Sequence, residues 1–138
     1  MLPDLLMQLT NLKEIQLQDN PIGSDVQHIM TAMVEKSTSL TLEDSNLRHL
    51  SPEIKMLEVL EELVLDNCSI SILPRQLIQL TSLTTLSMAH NALKYVDAAI
   101  YRLTRLQTLS LASNQLQNLP IELMDMPNIR ALDLRNTR

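Results

Sequence analysis

One thiol, three imidazoles and a scatter of carboxylates are the groups in this chain with chemistry to offer. Cys68 is the single cysteine. A disulfide framework or a Cys-based zinc site needs thiols in pairs or quartets, so neither can be built from one chain. As a nucleophile Cys68 would need a base beside it, and no histidine is predicted there; an inert, buried structural thiol is the expected role. His28, His49 and His90 fall in separate parts of the chain. A metal needs its ligands within one small sphere, so the three are read as solvated surface histidines. Asn67-Cys68-Ser69 spells a glycosylation triplet, which is common by chance and idle in the reducing compartment that the cysteine usage suggests. One glycine among six prolines leaves nothing from which to build a phosphate-cradling loop. With no nucleophile, base and oxyanion donor that can be placed together, no catalytic, cofactor or metal residue is assigned, and the chain is not expected to be an enzyme.

The composition describes what must position these groups. At 138 residues, 45% hydrophobic and 20% charged, the expectation is one globular unit over residues 1–138. Its net charge of -5 disfavours nucleic acid, which calls for clustered Lys and Arg. No apolar run approaches the roughly 20 residues of a membrane span, and the N-terminus lacks a signal-peptide pattern, so a soluble, cytoplasmic protein is expected. Leucine fills 29 positions, against two tyrosines and no Phe or Trp. An aliphatic core built by repetition follows.

The repetition is explicit. Leu12-x-x-Ile15-x-Leu17-x-x-Asn20-x-Ile22 recurs as Leu60-x-x-Leu63-x-Leu65-x-x-Cys68-x-Ile70 and Leu83-x-x-Leu86-x-Met88-x-x-Asn91-x-Leu93. Leu106-x-x-Leu109-x-Leu111-x-x-Asn114-x-Leu116 and Ile129-x-x-Leu132-x-Leu134-x-x-Thr137 continue it, and Leu40-x-Leu42-x-x-Ser45-x-Leu47 is a weaker copy. The key positions 20, 45, 68, 91, 114 and 137 are spaced by 25, 23, 23, 23 and 23 residues, a period that marks a solenoid.

At these residues the chain resembles the leucine-rich repeat family, in its intracellular 23-residue class. Leu2-Pro3, Leu73-Pro74 and Leu119-Pro120 supply that class's L-P signature, whereas Leu50-Ser51-Pro52 and Val96-Asp97 depart from it. The resemblance implies an α/β fold: a right-handed, curved leucine-rich repeat solenoid of about six repeats. Six parallel strands would line its concave face, and short helices or 3₁₀ turns its convex face. It also implies a non-catalytic recognition scaffold in signalling or assembly. The alternative is the recognition or regulatory repeat region of a larger signalling enzyme, such as a kinase, GTPase-linked protein, cyclase or ubiquitin ligase.

The physics agrees with the resemblance. Alternation at period two turns the leucines of each short strand inward, placing strands near residues 14 to 17, 39 to 42, 62 to 65, 85 to 88, 108 to 111 and 131 to 134. No unit can bury its own leucines, but stacked units share one core. An inward asparagine amide at Asn20, Asn91 and Asn114 can satisfy backbone groups where the chain leaves the sheet. Ser45, Cys68 and Thr137 put smaller groups there. The longer first connection carries Ser24 and Gln27 at capping-box spacing, then Val26, Ile29, Met30, Met33 and Val34 on one helical face. A regular helix is expected there and 3₁₀ pieces elsewhere. Tyr95 and Tyr101 are read as partial core cover.

One pattern exceeds a merely solvated face. The outward strand positions of the first three units carry Glu14, Asp19, Glu43, Asp44, Glu62 and Asp66 and no base. Those of the next two are mostly small and uncharged: Thr85, Ser87, Thr108 and Ser110, with His90 beside them. These eleven residues form the expected partner-binding surface, for a protein with a basic surface or segment. Neither terminus shows a polar cap, and Leu132 and Leu134 would lie bare. A piece of a longer array, or end-to-end self-association through the uncapped ends, is therefore expected.

Overall fold

A computed structural model describes residues 14, 16, 24–43 and 46–137. Within them a helix α1 (Ser24–Glu35) leads into five three-residue strands, β1 (Ser39–Thr41), β2 (Glu62–Val64), β3 (Thr85–Ser87), β4 (Thr108–Ser110) and β5 (Ala131–Asp133). Between consecutive strands lie the 3₁₀ segments η1 (Pro52–Met56), η2 (Arg75–Gln79), η3 (Ala98–Arg102) and η4 (Ile121–Asp125). The strands form one parallel sheet in chain order. Register follows the repeat without slip: Leu40 pairs with Leu63, Leu63 with Leu86, Leu86 with Leu109 and Leu109 with Leu132. The strand expected near residues 14 to 17 lies largely outside the described residues.

The short strands follow from the unit length. Each unit advances by one strand spacing, about 4.8 Å, so its chain must go out and return almost in one plane. Pairing nevertheless continues past the strands, with Leu42 N–H on Val64 C=O at 2.8 Å, Leu65 on Ser87 at 2.8 Å and Met88 on Ser110 at 2.9 Å. On the return side the same economy selects 3₁₀ turns. Extended residues Ser51, Pro74, Asp97 and Pro120 open them, and they turn Ile54, Leu77, Ile100 and Leu123 inward, with Met56 beside Ile54 in η1. With the strand leucines these complete a core in which Leu63, Leu86 and Leu109 are fully buried, whereas Leu132 on β5 is 39% exposed.

The two extra residues of the first connection allow α1 its twelve residues. Ile29 and Met30 are fully buried against the core. The helix ends in a Schellman motif: Lys36 takes φ 53°, its N–H donates to Met33 C=O at 3.1 Å, and Ser37 N–H reaches Ala32 C=O at 2.9 Å. The side chain of Ser24, on which the expected capping box depends, lies outside the described residues. Beside it Asp25 is buried and spans to the next unit, where its Oδ2 accepts from Ser51 N–H at 2.9 Å and Ser51 Oγ–H at 2.5 Å. The departure from Leu-Pro at Ser51 thereby has a cause, because proline has neither of those donors.

Asp97, the other departure, caps its own 3₁₀ turn, accepting from Ala99 N–H at 2.8 Å. Ser51 and Asp97 have φ of -66° and -64°, so proline fits the backbone at both and only the hydrogen bonds distinguish them. Ser51→Pro should cost about 2 to 3 kcal/mol, since it leaves a buried carboxylate without its donors. Asp97→Pro should stay within about 1 kcal/mol of wild type, a lost cap being offset by a stiffer unfolded chain. Urea unfolding of both variants checks this. In the same assay Leu86→Ala and Leu109→Ala should each cost about 2 to 5 kcal/mol through a core cavity.

Candidate functional site

The open face of the sheet is set by what happens where each strand ends. At Asn67, His90, Ser113 and Asn136, again 23 residues apart, φ lies between 54° and 56°. This left-handed geometry costs most L-residues about 1 to 2 kcal/mol, with Asn and His among the better tolerated. It lets the next residue turn inward. Asn91 does so with its Oδ1 accepting from Cys68 N–H at 3.1 Å and Ile70 N–H at 3.0 Å. Its Nδ2 donates toward Leu65 C=O at 2.8 Å, Met88 C=O at 3.0 Å and Ala89 C=O at 3.1 Å. Asn114 repeats the arrangement on Leu93 N–H and on the carbonyls of Met88, Leu111 and Ala112.

Cys68 occupies the same position one unit earlier. It is fully buried, and its thiol points to Leu42 C=O and, at 3.3 Å, to Asp66 C=O. Its Sγ thus takes the place of an amide nitrogen in the ladder and is a structural group. Thr137 manages less: its Oγ1 reaches only Leu134 C=O, at 2.7 Å, within its own unit. Ser45 and Asn20 lie outside the described residues.

The register assembles the outward side chains into rows that cross the strands. One row runs Ser39, Glu62, Thr85, Thr108, Ala131, and the next Thr41, Val64, Ser87, Ser110, Asp133. Thr85, Ser87, Thr108 and Ser110 are therefore brought together on β3 and β4, each half-buried. His90 is exposed at the end of β3, and Ala89 and Ala112 are buried. Glu43 and Glu62 stand exposed on the β1 and β2 units, and neither carboxylate has a hydrogen-bond or ion-pair partner among the described residues. Glu14 is exposed and accepts from Gln16 at 3.2 Å. Asp19 and Asp44 lie outside the described residues.

Asp66 behaves differently from the other expected acids. Its Oδ1 accepts from Ser87 Oγ–H at 2.7 Å and Ala89 N–H at 2.8 Å, so it braces the β2 and β3 units together and has less to offer a partner. Sequence reasoning passed over a second carboxylate at the other end of the sheet. Asp133 accepts from Arg135 Nε at 2.9 Å, Nη2 at 2.8 Å and backbone N–H at 3.1 Å. The alternation Asp-x-Arg was its signal, since residues two apart on a strand share a face. Tyr95 is 59% and Tyr101 47% exposed, so each gives the core partial cover at most. Among the described residues no group of three His, Cys, Asp or Glu is placed to hold a metal ion, and no helix is long and apolar enough to cross a membrane.

The guanidinium hydrogen bonds of Arg135, followed by its backbone N–H, pull the Asp133 carboxyl down to about 2 from an ordinary 3.8. A folded value below the unfolded one means that the pairing favours the fold above pH 3.8 and loses that contribution as pH falls through about 2. Arg135 is 83% exposed, and solvent screens such a pair, so the effect is local. Carboxyl-detected NMR titration should find the Asp133 midpoint near 2 and, in Arg135→Gln, raised toward but still below 3.8, because the backbone N–H of residue 135 remains.

The sequence model of the family described as Leucine Rich Repeat matches residues 105–126. No curated protein matches the chain. Among solved structures, the leucine-rich repeat ectodomain of the receptor kinase SOBIR1 from Arabidopsis thaliana is similar at 22% identity and a TM-score of 0.53, over 72% of this chain and 68% of that one. A Leptospira interrogans leucine-rich repeat protein is similar at 22% identity and 0.55, over 96% of this chain and 45% of its own. The leucine-rich repeat domain of the type III effector XopL follows at 18% identity and 0.60, over 97% and 63%. The chain thus spans less than two thirds of the last two. A parallel sheet in strict 23-residue register, closed by inward asparagines and backed by 3₁₀ turns, is the leucine-rich repeat fold, and residues 105–126 are a leucine-rich repeat in sequence as well.

Proposed function

We propose that the chain is a non-catalytic scaffold that binds another protein, through a basic segment, on the concave face of its sheet. The observation that carries this reading is the pair Glu43 and Glu62. Both are exposed on adjacent units, and neither is matched by a cation among the described residues. The register sets Glu62 beside Ser39, and Glu43 lies four residues further along its own unit, so the two spread negative charge over the face. Their fields add and would steer a basic partner inward. Half-buried Thr85, Ser87, Thr108 and Ser110 beside them give a low surface that a polypeptide backbone can approach closely. Asp66 contributes by holding that surface in place.

A second reading, that these repeats are the recognition region of a larger signalling protein, draws on the company the fold keeps. The plant ectodomain belongs to a receptor kinase and the effector structure is likewise one domain. In both readings the repeats only bind. The length of the native open reading frame separates them.

Partners captured on the immobilised protein and identified by mass spectrometry supply the reagent for the test. Glu43→Lys with Glu62→Lys should weaken the captured partner about tenfold or more at low salt, and less at physiological salt, where fields fade within about 8 Å. Stability should move by no more than about 0.5 kcal/mol, as at exposed positions generally. Equal binding by the double variant, together with indifference to salt, would overturn the acidic-face reading.

A further inference from the structure

The opposite side of the molecule carries a recessed site of opposite sign. Between η2 and η3 lies a groove of about 270 Å³ walled by Leu77, Ile78, Tyr95, Val96 and Ile100. It opens because η2 and η3 pack less closely than η1 with η2 or η3 with η4, and the sequence shows why. At the groove η3 presents Ala99, where the equivalent position of η2 is Gln76 and that of η4 is Glu122. Ala99 lines the groove, and a methyl group leaves space that a longer side chain would fill.

The charges in the lining are Arg75, Arg102 and Asp97. Asp97 is already engaged as the cap of η3, whereas neither guanidinium has an ion-pair or hydrogen-bond partner among the described residues. On a protein of net charge -5, two unmatched arginines flanking an apolar recess are a local inversion of sign. We propose that this groove binds a short acidic peptide segment of another protein, inserting one bulky aliphatic or aromatic side chain between η2 and η3 while its carboxylates meet Arg75 and Arg102. Arginine suits the task, since its planar fork takes a carboxylate through two hydrogen bonds while its methylene stem lies along apolar surface. Tyr95 is the kind of half-open aromatic that anchors such contacts. The volume falls below the about 300 to 1,000 Å³ of typical small-molecule pockets, which fits one or two side chains. An anionic bilayer is disfavoured, because it is flat and would be repelled by the molecule's overall charge.

The test uses the full chain and a fluorescein-labelled peptide with a central Leu-Phe pair flanked by Asp and Glu, beside a twin in which every acid is lysine. Fluorescence anisotropy should show saturable binding of the acidic peptide only, weakened by salt. Arg75→Gln with Arg102→Gln should reduce affinity about fivefold or more, as expected on removing charge-assisted hydrogen bonds. Ala99→Phe should abolish binding by filling the groove. Glu43→Lys with Glu62→Lys, on the other face, should not reduce binding of the acidic peptide, which keeps this site distinguishable from the concave one. Equal binding of the two peptides would overturn the proposal. So would unchanged affinity in the arginine variant, or binding to phosphatidylserine vesicles in place of the acidic peptide. Should Ala99→Phe fail to unfold cooperatively, the arginine variant decides alone.

Discussion

Everything on both faces of this molecule rests on how the chain leaves the sheet. At the end of each strand the backbone must turn away, and in doing so it strands peptide groups in an apolar interior where an unmatched donor or acceptor is costly. Asn91 and Asn114 solve this by reaching back one unit with both ends of the amide. The left-handed residues before them, His90 and Ser113, aim that amide inward. The hydrogen bonds hold one unit against the one before it at a fixed offset, and that offset sets the register of the leucines beneath. Core packing and the rows of side chains above are consequences of it.

Irregularities in the repeat then become informative, because each one has to be reconciled with the same offset. Cys68 replaces an amide with a thiol that keeps the donor role toward Leu42 C=O, while its own backbone N–H donates to Asn91 Oδ1 of the next unit. Ser51 abandons proline so that Asp25 can be held. Asp97 abandons it too, and caps the turn whose Ala99 leaves the groove open. Substitution away from the repeat pattern is thus concentrated where one unit touches something other than a copy of itself, or where the surface departs from uniformity.

Period and polarity made the architecture readable in advance. The 23-residue spacing placed the strands that the described residues contain, the inward leucines and the asparagine positions, since stacking forces identical units into identical roles. Side-chain partnerships were less legible. Asp25 and Ser51 are 26 residues apart and off the repeat, so no pattern links them. Asp66 read as one more acid on an open face because its bonds to Ser87 and Ala89 depend on how closely two units approach, a distance the sequence does not display. The η2 and η3 groove was equally hidden: an alanine such as Ala99 is unremarkable until the residues at its equivalent positions are known to be larger. The left-handed residues did carry a trace, in the recurrence of Asn, His, Ser and Asn one place ahead of the ladder.

The backward reach of each ladder amide also bears on how such a chain can change over evolutionary time. A duplicated copy of the unit that carries Asn114 would find beneath it the same carbonyls and N–H groups that the original finds, so length can be added among the later units without inventing a contact. Between α1 and η1 this freedom is absent. Among the described residues Asp25 and Ser51 form a pair that no other unit reproduces, and an inserted repeat would part them and leave a buried carboxylate unmatched. The molecule therefore has an extensible region and a fixed one, and relatives differing in repeat number should vary after Cys68 while keeping the stretch from α1 to η1 intact.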